Sequence, residues 1–346
     1  MRKLDKSFWK SKRVLVTGHS GFKGKWLCAL LRVLNSNIIG ISKKNSKKLN
    51  FVKSYKSDLN NTNKLSNYIK SFKPEIVFHL AAQPIVSVSY KEPKKTFKDN
   101  IFGLINILEI LREERELKAI IVVTSDKCYK IEQKTKKILT EKSALGGNDP
   151  YSASKSCAEI ISNCYLKSFF LKKNIGIATA RAGNVIGGDD FAENRIIPDL
   201  FKSKINNRNV YIRHPNSSRP WQYVIDVIYG YCLLAEKLFK NPKKYSGPWN
   251  FAKEEQKLIT VIDLANIFLK EIKYKKKIKF YKEKFYEEKN YVLSSKKSEK
   301  YLGWKPIYSN KDIIINTASW YNDYLSNSKN SQTLLKKYLD KYLEMF

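Results

Sequence analysis

Cysteine and histidine are scarce in this chain, and their placement excludes two kinds of site. The sequence has five cysteines and three histidines in 346 residues. The odd number of cysteines, with no C-x-x-C pair among them, argues against a disulfide framework and against a zinc site. The histidines are scattered and form no metal-binding motif. We therefore expect reduced thiols and no bound metal.

Long apolar runs are also missing. No run approaches the roughly 18 to 20 apolar residues that a membrane-spanning helix needs. Residues 1–12 alternate charged and aromatic side chains and lack the apolar stretch of a secretory signal. These features predict a soluble, cytoplasmic protein with no membrane partner.

Acidic residues are few relative to basic ones. The chain has 32 Asp and Glu against 66 Lys and Arg, which gives a formal net charge of +34. Such an excess is typical of nucleic-acid-binding proteins. Here, however, the excess is mostly lysine spread over the whole chain, and no nucleic-acid-binding motif accompanies it. We therefore predict no nucleic-acid partner.

Strand-like apolar runs alternate with helix-length segments through the first half of the chain. This alternation predicts an α/β fold with a Rossmann-type, doubly wound parallel sheet. Residues 1–182, completed by about 222–252, are predicted to form the nucleotide-binding domain. Residues 183–221 and 253–346 are predicted to form a smaller C-terminal α/β substrate lobe, with a cleft between the two.

The apolar periodicity also predicts individual elements. Helices are expected over Thr96 to about Arg115, Tyr151–Lys173 and Ile225–Leu238, and a closing helix near Asp312–Tyr324. After Arg181 the pattern loosens into loops that carry Gly, Asn and Pro. A helix after Thr260 leads into a very basic region over Lys270–Lys289.

A glycine-rich loop, TGHSGFKG, follows the first predicted strand at Thr17–Gly24. Gly18, Gly21 and Gly24 are three residues apart. They let the backbone turn sharply, approach a pyrophosphate and pack the next helix against the sheet. The N-terminus of that helix offers free N–H groups to the phosphates. Because the loop lies between a strand and an amphipathic helix, it predicts a dinucleotide site.

The loop and the strand ends beside it define the expected cofactor site. Its residues are Gly18, His19, Gly21, Phe22, Lys23, Gly24, Asp58, Leu59, Ala81, Ala82, Gln83, Asn100, Tyr151 and Lys155. The second strand ends in Ser42-Lys43-Lys44, without the acidic residue that would bind an adenine-ribose 2′-hydroxyl. A lysine there would suit a 2′-phosphate, so the residues alone leave both NAD and NADP open.

A Y-x-x-x-K pair, Tyr151 and Lys155, opens the helix that follows the strand ending at Thr124. This spacing places the two side chains one turn apart on one face of a helix. The ammonium group favours the phenolate and is expected to lower the pKa of Tyr151, so that the tyrosine can take a proton from an alcohol. Ser125, at the end of the preceding strand, can reach the same substrate oxygen.

Asp126 and Lys127 go beyond what simple alcohol oxidation requires. A plain alcohol dehydrogenase needs a hydroxyl, a tyrosine and a lysine, as in Ser125, Tyr151 and Lys155. An added carboxyl and a second basic group suggest proton chemistry at further carbons, as in an elimination. The alternative is that Asp126 only caps a turn and Lys127 is solvated, and spacing alone does not separate the two.

Together these segments resemble the extended short-chain dehydrogenase/reductases of the NAD-dependent epimerase/dehydratase family, and within them the nucleotide-sugar 4,6-dehydratases. The matching segments run from Phe8-Trp9 to Trp304 and include VTGHSGFKG (Val16–Gly24), KPEIVFHLAAQP (Lys73–Pro84), TSDKCY (Thr124–Tyr129), GGNDPYSASK (Gly146–Lys155), RAGNVIGG (Arg181–Gly188), RPWQ (Arg219–Gln222), PWNFA (Pro248–Ala252) and LGWKP (Leu302–Pro306). Relatives that act on dTDP or GDP sugars usually have glutamate where Lys127 stands.

The resemblance implies a bound NAD⁺ that is regenerated in each turnover, with CDP-glucose as the substrate and CDP-4-keto-6-deoxyglucose as the product. It implies that Tyr151, aided by Ser125 and Lys155, deprotonates the glucose 4-hydroxyl. Lys127 would take the C5 proton, and Asp126 would protonate the departing 6-hydroxyl.

The resemblance also implies how substrate and subunits are held. Asn184, Arg195 and Arg219 would bind the diphosphate of the nucleotide sugar, since Arg can grip phosphate with two hydrogen bonds. Relatives commonly dimerise through a four-helix interface, which the helices after Thr96 and Tyr151 would supply. A homodimer or homotetramer is therefore expected.

Two segments depart from the family pattern, and other functions stay open. Lys130–Lys142 lacks the expected Trp- and Arg-containing sequence, and the loop after Ser42 is shorter than in close relatives. The alternatives are a 4,6-dehydratase for another nucleotide sugar, a 4-epimerase, which does not need Asp126 and Lys127, and a non-catalytic dinucleotide-binding protein.

Overall fold

A computed structural model describes residues 1–43, 49–131, 138–253, 259–281, 291–326 and 330–346. The predictions for the loop after Ser42, including Lys44, for Lys130–Lys142 and for Lys270–Lys289 lie partly outside these residues.

The strands of the described residues build one large sheet and several short ladders. They are Arg13–Thr17 (β1), Asn37–Ser42 (β2), Lys53–Lys56 (β3), Ile76–His79 (β4), Ala119–Val123 (β5), Ile138–Leu139 (β6), Gly176–Arg181 (β7), Val185–Ile186 (β8), Val210–Ile212 (β9), Ser218–Arg219 (β10), Gln222–Tyr223 (β11), Gly247–Asn250 (β12), Ile259–Thr260 (β13), Ile278–Phe280 (β14) and Val292–Leu293 (β15). Seven strands form a parallel sheet in the order β12-β7-β5-β4-β1-β2-β3. The other strands form the two-stranded ladders β10-β13, β11-β8, β14-β9 and β15-β6.

Helices cover both faces of the sheet, and further helices belong to the C-terminal part of the chain. They are Lys6–Trp9 (α1), Phe22–Val33 (α2), Thr62–Phe72 (α3), Val86–Lys91 (α4), Pro93–Phe97 (α5), Gly103–Leu111 (α6), Pro150–Tyr165 (α7), Ile196–Ile205 (α8), Val224–Lys240 (α9), Pro242–Tyr245 (α10), Val261–Glu271 (α11), Lys296–Leu302 (α12), Asn310–Ser326 (α13) and Ser331–Leu343 (α14). Two π-helical turns, Lys98–Phe102 and Leu166–Phe170, extend α5 and α7. Within the described residues, every helix is too short or too polar to cross a bilayer.

The first strand shows why the sheet is covered on both faces. Val14 and Val16 belong to a buried apolar cluster that includes side chains of α2 and α9, whereas Leu15 belongs to a second cluster with side chains of α3, α6 and α7. A strand buried on both faces needs a continuous apolar run, and such strands are typical of parallel sheets. The predicted fold class, a Rossmann-type doubly wound sheet with a smaller α/β lobe, is confirmed.

Several predicted elements are wrong in detail. The helix expected from Thr96 to about Arg115 is present, but it begins at Pro93, contains a π-helical turn and ends at Leu111. The additional helix α4 ends at Lys91, because Glu92 precedes a proline and leaves the helical region, with φ −130°. The segment after Arg181 is not only loop, since it contains α8. The expected closing helix is α13, which α14 follows.

Candidate active site

A cleft of about 600 Å³ opens at the carboxyl ends of the central strands. The predicted site residues that line it are Gly18, Gly21, Phe22, Lys23, Gly24, Asp58, Leu59, Ala81, Ala82, Ser125, Asp126, Lys127, Tyr151, Lys155, Asn184, Arg195 and Arg219. Three predicted cofactor residues, His19, Gln83 and Asn100, lie behind its wall instead. Parallel strands end at one edge of a sheet, which is why residues so far apart in the chain meet there.

The glycine loop has the shape that the sequence predicts. Gly18 has φ +74°, and a Cβ there would lie 2.7 Å from the Ala81 nitrogen. A Cβ on Gly24 would lie 2.3 Å from the Gly18 oxygen, so neither position has room for a side chain. Gly21 precedes α2 and has no side chain to cap its N–H groups. The loop therefore fits a pyrophosphate held by backbone N–H groups at a helix N-terminus.

His19 has its side chain directed away from the cleft. Its ring is fully buried beneath Gly40, where a Cβ would lie 2.3 Å from the ring Cγ. Nε2 lies 2.7 Å from the Ser54 Oγ, and burial lowers the pKa of this histidine. His19 therefore ties the glycine loop to β2 and β3, and only its backbone remains for the cofactor.

Gln83 and Asn100 form a hydrogen-bonded pair behind the cleft wall. The Asn100 Oδ1 accepts from the Gln83 backbone nitrogen at 2.7 Å, and the Asn100 Nδ2 donates to the Ser154 Oγ at 2.9 Å. Because Ser154 lies on α7 between Tyr151 and Lys155, this pair links the loop after β4 to the helix that carries the Y-x-x-x-K motif. The Asn100 side chain does not line the cleft; it holds the backbone of the loop at Gln83 in place.

Lys43, at the end of β2, already has carboxylate partners. Its Nζ lies 2.6 Å from an Asp99 oxygen and 3.2 Å from an Asp58 oxygen. All three residues line the cleft. The sequence left this lysine as a candidate partner of a 2′-phosphate. In the structure two carboxylates neutralise it and would repel a further phosphate.

Three basic residues, Lys23, Lys155 and Arg195, line the same cleft. Burial, together with the charges of Arg195 and Lys155, lowers the pKa of Lys23 to about 7. Arg195 is bound by Asp190, with 2.9 Å between Nη1 and Oδ2. Such a cluster of positive charge suits a ligand that carries several phosphates.

Tyr151 and Lys155 lie in the first turns of α7. Asp149 caps this helix by accepting from the Ser152 nitrogen at 3.0 Å. The Lys155 Nζ donates to the Val123 carbonyl at 3.1 Å, and burial lowers the pKa of Lys155 to about 8.

The pKa of Tyr151 moves opposite to the direction that the spacing predicted. Burial raises it to about 12, and the hydrogen bond with Ser125 opposes this rise without cancelling it. The reason is that desolvation of the phenolate outweighs the nearby positive charges. Without ligands, Tyr151 is therefore a protonated phenol at neutral pH, in hydrogen-bonding range of Ser125.

Asp126 is a buried carboxylate at the end of β5 in the site. It is 4% exposed, and its Oδ1 accepts from the Ser125 hydroxyl at 2.8 Å. Its Oδ2 accepts from the Tyr291 hydroxyl at 2.6 Å. Tyr291 was missed from the sequence because it lies 165 residues away in the chain, just after the basic region, and belongs to no motif.

Lys127 follows in the 3₁₀ turn Asp126–Cys128. Its backbone nitrogen donates to the Ser125 Oγ at 3.3 Å, and it lines the same cleft. The turn therefore presents Ser125, Asp126 and Lys127 to one space, which an elimination needs and a simple oxidation does not.

A buried ion pair lies beneath these residues. The Arg181 Nη2 lies 2.7 Å from the Glu159 Oε2, and both side chains are 3% exposed. Glu159 also accepts hydrogen bonds from Thr124 at 2.5 Å and Thr179 at 2.6 Å. Because Glu159 is one turn after Lys155, the pair ties α7 to the ends of β5 and β7. The pair belongs to no sequence motif and was not predicted.

The RPWQ segment supports the loop that packs against the catalytic turn at Asp126. The Gln222 Nε2 donates to the Gly183 carbonyl at 2.9 Å, and the Gln222 backbone nitrogen donates to Asn184 O at 3.2 Å. Asn184 adopts the left-handed region with φ +49°. The loop that carries the predicted diphosphate residue Asn184 is thus held by β11.

Comparison with known proteins identifies a family. The family model described as GDP-mannose 4,6 dehydratase matches residues 15–317. The chain is 36% identical to a CDP-glucose 4,6-dehydratase of Salmonella typhimurium over 337 residues, which cover 93% of this chain and 94% of the relative. It is 25% identical to a UDP-glucose 4-epimerase of Lactobacillus helveticus, over 90% of this chain and 98% of that protein.

Solved structures share the same fold. The UDP-glucose 4-epimerase of Thermotoga maritima with UDP-glucose aligns with a TM-score of 0.79 at 21% identity, covering 90% of this chain and 99% of that one. MoeE5 in complex with UDP-glucose and NAD aligns with a TM-score of 0.79 at 18% identity, over 90% and 99% of the two chains. At these identities the likeness concerns the fold alone.

Proposed function

This chain belongs to the GDP-mannose 4,6-dehydratase family, and from that membership we propose that it converts CDP-D-glucose into CDP-4-keto-6-deoxy-D-glucose with loss of water. The observation that carries the proposal is the buried carboxylate of Asp126, 2.8 Å from the Ser125 hydroxyl and in the same cleft as Tyr151 and Lys155. Oxidation alone needs no such carboxylate.

The family uses NAD, and the glycine loop fits it. The N–H groups at the start of α2 would bind the pyrophosphate, and Asp58 and Leu59 would border the adenosine. Ala81 and Ala82 leave room for close passage of the dinucleotide. A dinucleotide held there would supply the hydride transfer of the reaction, from C4 of the sugar at the start and back to C6 at the end.

Tyr151 acts at the 4-hydroxyl of the glucose unit. It takes the hydroxyl proton while Ser125 donates a hydrogen bond to the same oxygen. Lys155 stabilises the phenolate that Tyr151 must become. Burial raises the pKa of Tyr151 to about 12, and the hydrogen bond with Ser125 opposes that rise. The product of this step is a 4-ketone, which makes the C5 proton acidic.

Lys127 and Asp126 act in the elimination. Lys127 removes the C5 proton, and the electron pair of that C–H bond forms the C5–C6 double bond. Asp126 gives its proton to the 6-oxygen as the C6–O bond breaks, so that water leaves. Lys127 then returns its proton to C5 as the hydride reaches C6, and the proton that Tyr151 took from the 4-hydroxyl balances the one that Asp126 gave up. Both residues are part of the 3₁₀ turn after β5, and this shared turn supports their acting on neighbouring carbons.

Residues of the predicted C-terminal lobe bind the substrate. Arg195 and Arg219 supply positive charge for the diphosphate, and Asn184 supplies amide hydrogen bonds. Asp190 fixes the direction of the Arg195 guanidinium. We further propose that the protein works in the cytoplasm as a homodimer or homotetramer, with α6 and α7 forming the subunit interface.

Incubation with NAD⁺ and, separately, CDP-, dTDP-, GDP- and UDP-glucose tests the proposal. Water loss is followed by mass spectrometry and by the alkali-induced absorbance of a 4-keto-6-deoxy sugar. We expect turnover with CDP-glucose, and its loss in Tyr151→Phe by roughly a hundredfold or more. Water loss with another nucleotide would change the substrate. Absence of water loss with all four would refute the dehydratase and favour a 4-epimerase or a non-catalytic binder.

A further inference from the structure

Both oxygens of the Asp126 carboxylate are engaged, and only one partner has a role in the proposed reaction. Ser125 donates to Oδ1 at 2.8 Å, and Tyr291 donates to Oδ2 at 2.6 Å. Ser125 also hydrogen-bonds Tyr151 and, in the proposed reaction, the 4-hydroxyl of the substrate. Tyr291 has no function in the steps described above, although it touches the group that must deliver a proton.

Tyr291 is brought to Asp126 by a small parallel ladder. It directly precedes β15, whose Val292 and Leu293 pair with Ile138 and Leu139 of β6. Tyr291 also packs against a buried cluster that contains Cys128, Tyr129, Leu139, Ala252 and Leu293. A phenol held by both a ladder and an apolar cluster has a fixed direction. Its bond to Asp126 is therefore part of the folded site.

The backbone of Gly183 closes the Oδ2 side of Asp126. A Cβ on Gly183 would lie 1.9 Å from Oδ2, so the carboxylate packs directly on this glycine. Gln222 fixes the glycine by donating to its carbonyl at 2.9 Å. Oδ2 thus faces protein on both sides, whereas the partner of Oδ1, Ser125, is a residue of the cleft wall.

We infer that Tyr291 is a positioning residue for the elimination: it anchors Oδ2 of Asp126, so that Oδ1 is the oxygen that delivers the proton to the departing 6-hydroxyl. This inference rests on the proposed function. In this step Asp126 carries a proton on Oδ1, and the Ser125 hydroxyl, which donates to Oδ1 in the structure, turns to the 4-oxygen of the substrate. As the C6–O bond breaks, the proton on Oδ1 passes to the 6-oxygen, and water leaves. The hydrogen bond from Tyr291 stabilises the carboxylate that remains.

Tyr291→Phe removes this hydrogen bond and keeps the ring in its apolar cluster. We expect kcat for water loss from CDP-glucose to fall by roughly tenfold to a hundredfold, while KM changes less than about threefold. Oxidation at C4 does not use Asp126 and should continue. The variant should therefore accumulate bound NADH, which is visible by its near-ultraviolet absorbance when substrate is added. A merely structural defect would lower oxidation and water loss together.

Two further variants complete the test. Gly183→Ala displaces the same carboxylate and should also accumulate NADH without water loss. Tyr301→Phe, the same substitution at a 45% exposed tyrosine that packs on Trp249, should behave like the wild type. Wild-type rates of water loss in Tyr291→Phe, or equal loss of oxidation and elimination, would overturn the inference while leaving the function intact. If the wild type removes water from none of the nucleotide sugars, function and inference both fall.

Discussion

At the scale of single residues, Lys43 and its two carboxylate partners bear on the choice between NAD and NADP. A lysine at the end of β2 would by itself attract the 2′-phosphate of NADP. Here Asp99 and Asp58 bind its ammonium group at 2.6 and 3.2 Å, which leaves net negative charge where that phosphate would approach. The three side chains therefore explain why a lysine at this position is compatible with NAD.

The first prediction concerns this cofactor preference. The wild type should bind NAD⁺ at least roughly tenfold more tightly than NADP⁺, because the carboxylates repel the extra phosphate. Asp99→Asn removes one charge and should tighten NADP⁺ binding by about fivefold, with little change for NAD⁺. Calorimetric titration at constant ionic strength measures both dissociation constants.

A matched control for this prediction lies on α14. Asp340 pairs with Lys336 at 2.7 Å on an exposed surface, so Asp340→Asn makes the same change in charge far from the cleft. It should leave both affinities unchanged. Equal affinity of the wild type for the two dinucleotides would contradict the role assigned to Lys43.

At the scale of elements, the Glu159–Arg181 pair joins α7 to the strand ends under the catalytic turn. Glu159→Gln keeps hydrogen-bonding atoms for Thr124 and Thr179 but leaves the buried Arg181 without its counter-charge. Breaking a buried pair in this way costs about 3 to 5 kcal/mol. We expect the free energy of unfolding, measured by chemical denaturation, to fall by that amount.

Glu109 offers the comparison for the buried pair. It binds Arg112 at 2.8 Å, but the two side chains are 47% and 32% exposed. Exposed pairs contribute only about 0 to 1 kcal/mol, so Glu109→Gln should have little effect on unfolding. If the two substitutions proved equally mild, the buried pair would not be holding the strand ends.

Local patterns predicted the parts of the fold that local forces determine. β1 and β5 are continuous apolar runs because helices cover both of their faces, and the glycine loop is recognisable because its backbone shape needs glycine. α8 was missed, since residues with loop preference surround it and tertiary packing stabilises it. The helix expected over Thr96 to about Arg115 does form, but it begins earlier, at Pro93, because the fixed φ of proline suits the first turn of a helix.

The candidate site also contains residues that local motifs predicted and a residue that they did not. Ser125, Asp126 and Tyr151 belong to short motifs and were predicted to meet at the strand ends. Tyr291 was not, because the two-residue strands β6 and β15 have no periodicity to detect and meet only in the folded chain. Contacts of this kind depend on tertiary structure and leave no local signal.

At the scale of the whole molecule, α6 and α7 are the helices proposed to form the subunit interface. α6 and α7 pack their apolar sides on the sheet in a common cluster. Yet Phe102, in the turn before α6, is 57% exposed, and Ile160, on α7, is 58% exposed. Exposed large apolar side chains on neighbouring elements suit an interface, because their burial against a second copy is favourable.

The last prediction tests this interface. Light scattering should give at least twice the chain mass of 40.3 kDa. Placing charges at the interface with Phe102→Glu and Ile160→Asp should produce monomers, since a buried unpaired carboxylate is costly. Ile205→Asp, at an isoleucine of α8 that is 52% exposed, is the control and should leave the assembly intact. A monomeric wild type would refute the dimer, and an assembly that survives both interface substitutions would move its interface away from α6 and α7.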